Sequence, residues 1–238
     1  MIYNLGTCVV NTYLIRHEDG YILVDTGYDG GIKHFAKELK RLSIKPEEIK
    51  YVFLTHAHDD HAGFLNDILA MSQAKVILHK DAISGLRRGQ NSFEGGCSGR
   101  LAYVFCLILA LCGKGEHRYP VLKEKYMDRL ITIDSKEFKE LSFPYKVIET
   151  PGHTKDHISL MVGDIIFCGD AAMNNFPSIN RNIIWIENLS DYKASWEKLI
   201  EAQAKYIYPA HGKPFLSSDL RKYQSRLEKL KIYHMKNK

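Results

Sequence analysis

Residues 51–54, Tyr-Val-Phe-Leu, are apolar and run without a break into Thr55-His56-Ala57-His58-Asp59-Asp60-His61-Ala62-Gly63. A short run of this kind reads as a buried strand. Three histidines and two aspartates within residues 56–61 mark the strand's end as a place where a loop aims polar side chains into a cleft. The chain must therefore build a sheet whose strand ends open onto a site.

The rest of the sequence supplies more strands and the helices to cover them. Residues 7–15 and 21–25 are rich in Val, Ile, Leu and Tyr and flank the turn-forming His17-Glu18-Asp19-Gly20, a hairpin signal. Residues 31–42 place Ile32, Phe35, Leu39 and Leu42 at helical spacing with lysines opposite. Residues 61–72 read as a second helix with Phe64, Leu65, Ile68 and Leu69 inward, and 75–79 as the next strand. Between 80 and 126 the pattern breaks into glycine-rich stretches around an apolar run, read as an insertion at about 85–125 in a single domain spanning 1–238. Strand candidates return at 130–133, 145–149, 157–162 and 165–168. A helix at 191–205, a strand at 206–208 entering Pro209-Ala210-His211-Gly212, and an amphipathic helix at 218–231 complete the chain. Two similar halves of this kind predict an α+β fold, a four-layer αββα β-sandwich covered by helices on both faces, rather than a doubly wound sheet.

Composition narrows the function classes. The net charge of +5 comes from 33 Lys and Arg interleaved with 28 Asp and Glu, so no nucleic-acid partner is expected. Five cysteines, Cys8, Cys97, Cys106, Cys112 and Cys168, form no CxxC pair, which argues against both a disulfide framework and a cysteine-rich zinc site and fits a reducing, cytoplasmic setting. The opening residues lack the pattern of a signal peptide. The apolar run at 101–112 is well short of the roughly 20 residues that a membrane-spanning helix needs. Its default reading is a core helix; the alternatives are a lid hinged on the flanking glycines and a homodimer segment.

A lone histidine is usually a hydrogen-bonded surface or core residue, and His17, His34, His79, His117 and His234 are read so. The cluster is different, because imidazole nitrogen combined with hard carboxylate oxygen suits zinc and other first-row divalent ions, iron and manganese included. These residues resemble the metallo-β-lactamase superfamily, whose HxHxDH signature appears here as His56, His58, Asp60 and His61. Further landmarks recur in order: Asp25 in Val24-Asp25-Thr26-Gly27, His153 in Pro151-Gly152-His153-Thr154, Asp170 in Cys168-Gly169-Asp170, and His211 in Pro209-Ala210-His211-Gly212.

The resemblance implies that His56, His58 and His153 hold one metal ion, that Asp60, His61 and His211 hold a second, and that Asp170 bridges them. Asp25 would brace the loop from behind. Asp60 and Asp170 are the candidate catalytic carboxylates, and a hydroxide shared by the two cations would be the nucleophile. The implied activity is hydrolysis of an ester, lactone or phosphoester in a small-molecule substrate. The alternatives are an iron-dependent oxidoreductase of the same fold and a non-catalytic, metal-containing ligand sensor. Lactonases of the superfamily usually carry a tyrosine three residues beyond the bridging aspartate, where this chain has Met173. Lys213, Asn174 and Asn175 stand beside presumed ligands, either to orient substrate or as plain loop residues.

Overall fold

The computed structural model describes residues 1–18, 20–141 and 143–235. In chain order the elements are β1 (Ile2–Asn4), β2 (Tyr13–His17), β3 (Gly20–Val24), α1 (Ile32–Arg41), β4 (Ile49–Phe53), α2 (Asp59–Ala62), α3 (Leu65–Met71), β5 (Lys75–Leu78) and α4 (Ala82–Arg88). Then follow β6 (Gly96–Cys97), α5 (Arg100–Leu111), β7 (Leu130–Thr132), α6 (Lys136–Glu140), β8 (Lys146–Glu149), β9 (Ile158–Val162) and β10 (Ile165–Gly169). The chain closes with β11 (Trp185–Ile186), α7 (Leu189–Glu201), β12 (Tyr206–Pro209), β13 (Phe215–Leu216) and α8 (Ser218–Glu228).

These elements form two compact units, Met1–Asn91 with Arg118–Pro144, and Ser92–His117 with Tyr145–Lys238. Each has its own sheet and its own core. In the first, six strands run in the order β1-β2-β3-β4-β5-β7. The β2–β3 hairpin pairs His17 with Gly20, while β3, β4, β5 and β7 are parallel neighbours. Strand β3 is buried along its whole length, which is why its sequence, Gly-Tyr-Ile-Leu-Val, is apolar without alternation. Helix α1 turns Phe35 and Leu39 into the core and keeps its lysines outside.

In the second unit, five strands run in the order β13-β12-β10-β9-β8, with β10 and β12 parallel and the other pairs antiparallel. Its core is built around Trp196 and Tyr192 of α7, both fully buried. Each polar tip has a partner: Trp196 Nε1 donates to the Ala171 carbonyl at 2.7 Å, and the Tyr192 hydroxyl accepts from the Ile183 amide at 2.9 Å. A small ribbon pairs β6 with β11.

Three expectations from sequence change. Residues 7–12 are not strand: the Thr7 hydroxyl accepts the amides of Val9 and Val10, and Thr7 N–H donates to the Val10 carbonyl, which closes a local turn before β2 begins. Asp19 of the predicted turn lies outside the described residues. The helix read over 61–72 is two helices, α2 and α3, separated by Gly63 and Phe64. The apolar run is the helix α5, but it is not a core helix, since Ala102 is its one buried residue while Leu101, Val104, Leu107, Ile108 and Leu111 are exposed. No helix among the described residues is long and apolar enough to cross a membrane.

Candidate metal centre

Both units deliver chemistry from the C-terminal ends of adjacent parallel strands. In the first, β3 and β4 are in register at Val24 and Phe53, so Asp25 and Thr55-His56 leave the sheet side by side. The Asp25 amide donates to the Phe53 carbonyl at 3.0 Å. In the second, β10 and β12 are in register at Gly169 and Pro209, and Asp170 and His211 follow directly, with the Ala210 amide donating to the Gly169 carbonyl at 3.0 Å. Sheet hydrogen bonds therefore set the positions of these side chains to within the tolerance of a backbone ladder.

Asp25 adopts φ of +57°, a left-handed conformation that aspartate tolerates better than most residues. This turns its buried carboxylate back on the histidine loop. Oδ1 accepts from the Thr55 amide at 2.8 Å, and Oδ2 accepts from the Thr55 hydroxyl at 2.8 Å and from His61 Nδ1 at 2.8 Å. With the Thr55 proton so engaged, its oxygen can accept from His56 Nδ1 at 3.0 Å. Both imidazoles thus carry their proton on Nδ1 and present Nε2 as a lone-pair donor. His56 lies 4.5 Å from His58 and 4.0 Å from His61, ring centre to ring centre. The loop is clamped from outside by Asn91, which exchanges two hydrogen bonds of 2.8 Å with Asp59, and by the Tyr119 hydroxyl on the Ala57 carbonyl.

In the second unit His153 Nδ1 donates to the Trp185 carbonyl at 2.8 Å, so this ring too presents Nε2. That nitrogen lies 3.4 Å from Asp170 Oδ2, and His211 Nε2 lies 3.4 Å from Asp170 Oδ1. In the first unit, His61 Nε2 and Asp60 Oδ1 are 3.5 Å apart. Two ligands at about 2.0–2.2 Å from one tetrahedral metal ion lie about 3.4 Å from each other. The donor set therefore fits a divalent cation in its chemistry and in these three spacings. Every donor is buried except His211, which is half-buried, and buried carboxylates need a compensating positive charge.

Sequence reading missed His157. The β9–β10 register pairs Leu160 with Phe167, and three residues further on it sets His157 opposite Asp170. His157 Nε2 accepts the Asp170 amide at 3.0 Å, so its proton sits on Nδ1 and goes to Thr150 Oγ1 at 2.8 Å; Thr150 in turn meets Ser159 Oγ at 2.8 Å. The buried, neutral His157 thereby holds the backbone from which Asp170 projects. Beside His153, burial pushes the Glu187 carboxyl above its ordinary value, against the opposing pull of the Ser92 hydroxyl and His153.

Residues considered for substrate have other work. Asn174 ties two loops together: its amide nitrogen donates to the His211 carbonyl, its side chain donates to the Lys213 carbonyl, and its Oδ1 accepts from Arg181. Gly212, at φ of +91°, lies so close to the Asn174 carbonyl that no Cβ would fit. Asn175 is exposed and bonds the Phe176 amide, and Met173 is buried in the core.

A family model described as the metallo-beta-lactamase superfamily matches residues 5–211. A metallo-beta-lactamase fold-containing protein of Sulfurisphaera tokodaii is 28% identical over 209 residues, covering 86% of this chain and 73% of that protein. A beta-lactamase-like protein 2 homolog of Caenorhabditis elegans is 27% identical over 220 residues, covering 92% of this chain and 60% of the nematode protein. A crystal structure of an archaeal metallo-beta-lactamase superfamily protein from Sulfolobus tokodaii superposes with a TM-score of 0.66 at 19% identity, covering 94% of this chain and 85% of that one. The fold type expected from sequence is borne out by this match.

Proposed function

Because the chain belongs to the metallo-β-lactamase superfamily, we propose that it is a dinuclear metal-dependent hydrolase of an ester, lactone or phosphoester bond. His56, His58 and His153 would hold one ion, Asp60, His61 and His211 would hold the other, and Asp170 would serve both. The observation that carries this reading is the carboxylate of Asp170, whose two oxygens each stand 3.4 Å from a different histidine Nε2. A carboxylate serving one ion would not need a second imidazole at its second oxygen. Zinc is the proposed metal, imidazole and carboxylate being the donors that zinc takes in hydrolytic sites.

When bound, two such cations supply Lewis acidity and a water of lowered pKa. The protein's part is positioning. Asp25 and Thr55 hold the rings of His56 and His61 by Nδ1, the Trp185 carbonyl does the same for His153, and His157 holds Asp170 by its amide. Asp60 places Oδ1 3.5 Å from His61 Nε2, and its carboxylate would be the group to accept a proton from the attacking water.

The test combines metal analysis of protein purified without added metal with turnover of a panel of lactones, thioesters and nitrophenyl phosphodiesters. Two divalent ions per chain, and hydrolysis that is lost in His58→Ala and Asp170→Asn, are expected. One iron per chain with oxygen consumption, or no metal-dependent turnover of any compound, would sink the proposal.

A further inference from the structure

The second unit contains a cavity of about 350 Å³ whose walls include none of the proposed metal donors. Three segments build it: residues 98–102 at the start of α5, residues 177–184 in the loop that follows Asp170, and residues 226–233 from the end of α8 onward. Four cations, Arg100, Arg226, Lys229 and Lys231, stand in its lining, and no lining residue is acidic. The nearby acids Asp219 and Glu228 are engaged elsewhere, with Arg181 at 2.8 Å and Lys193 at 3.1 Å. Like charges gathered on one cavity repel each other, and an anion relieves that repulsion.

Other features suit the same ligand. Arg226 is held at the wall by the Asn180 side-chain oxygen at 2.7 Å, and Asn182 is tied to the Ser98 hydroxyl at 3.0 Å. The Ser178 hydroxyl in the lining is buried and has no hydrogen-bond partner among the described residues. Helix α5 opens at Gly99 without a side-chain cap, and residues 99–102 of its first turn are part of the lining. Between the charges lie Leu101, Ile179, Ile184 and Leu230. A volume of this size accepts a small organic molecule rather than a bare ion.

We propose that this cavity binds an organic phosphate, its phosphate or diphosphate on the four cations and its apolar body against Leu101, Ile179, Ile184 and Leu230. The inference is independent of the hydrolytic reading. Isothermal titration of the full chain with naphthylmethyl phosphonate, inorganic pyrophosphate and inorganic phosphate tests it, the phosphonate being inert to hydrolysis. Because phosphates also ligate divalent metals, wild type is compared with His58→Ala and with the double variant Lys229→Gln/Lys231→Gln, whose side chains are exposed. Naphthylmethyl phosphonate is expected to bind wild type and His58→Ala alike, more tightly than inorganic phosphate, and at least about tenfold more weakly to the double variant. Higher salt should weaken it further. Equal binding by wild type and the double variant overturns the proposal, as does binding lost in His58→Ala but kept in the double variant, which would place the anion on the metal centre. Absence of heat with all three probes at millimolar concentration also overturns it. If the double variant fails to fold, Ile179→Glu serves in its place, with the same expected loss.

Discussion

Asp25 shows how much one side chain can organise. Its two oxygens accept three hydrogen bonds, from the Thr55 amide, the Thr55 hydroxyl and His61 Nδ1, at a position buried to 2% exposure. Replacing Asp25 by Asn keeps the volume but points an amide NH₂ at two donors. We expect Asp25→Asn to lower metal affinity by roughly 10–100-fold, read by competition with a chelator of known affinity, with the circular dichroism spectrum unchanged. Unaltered affinity would return Asp25 to a plain turn aspartate. The dense run at 56–61 was legible as a candidate metal cluster because its residues are neighbours in sequence. His157 was not, because its role depends on a strand pairing that sets it opposite Asp170. Its own surroundings, Asp156 before it and an alternating strand after it, read as the start of β9 and nothing more.

Among the elements, α1 was read from its apolar spacing to within one residue at each end, and strands β4, β5, β10 and β12 to within two. Failures came where a side chain or one residue's backbone conformation outweighed local pattern. The Thr7 hydroxyl diverts residues 7–12 into a turn although they look like strand. Phe64, at φ of −113° and ψ of 26°, leaves helical geometry and splits one expected helix into two. Hydropathy alone misplaced α5, since an apolar helix need not be buried. Ile108 is 54% exposed, so Ile108→Lys should shift unfolding free energy by no more than about 0.5 kcal/mol. A core position would lose about 2–5 kcal/mol, and urea denaturation separates the two outcomes.

For the whole molecule, the strongest link between chemistry and stability is the proposed metal pair. A ligand bound to the folded state alone adds about 2.7 kcal/mol at a hundredfold excess over its dissociation constant. Stripping the protein with a chelator should therefore lower Tm by roughly 5–10 °C, measured by calorimetry and reversed by added zinc. An unchanged Tm would count against metals held by the native donors. The superfamily fold and its candidate donors were legible from order and spacing along the chain, whereas the cationic cavity was not. Its four charges come from residues 100, 226, 229 and 231, and only folding gathers them from an otherwise mixed surface. The strand-end placement of Asp25 and His211 also bears on time. Catalytic loops commonly open faster than the scaffold that carries them, yet here the backbone next to these side chains belongs to the last rungs of two sheets. In hydrogen–deuterium exchange the amides of Asp25 and Ala210, bonded to Phe53 and Gly169, should keep their protons about as long as those of β3 and β10. The side chains carried on these rungs would then stay still on the timescale on which neighbouring loops breathe.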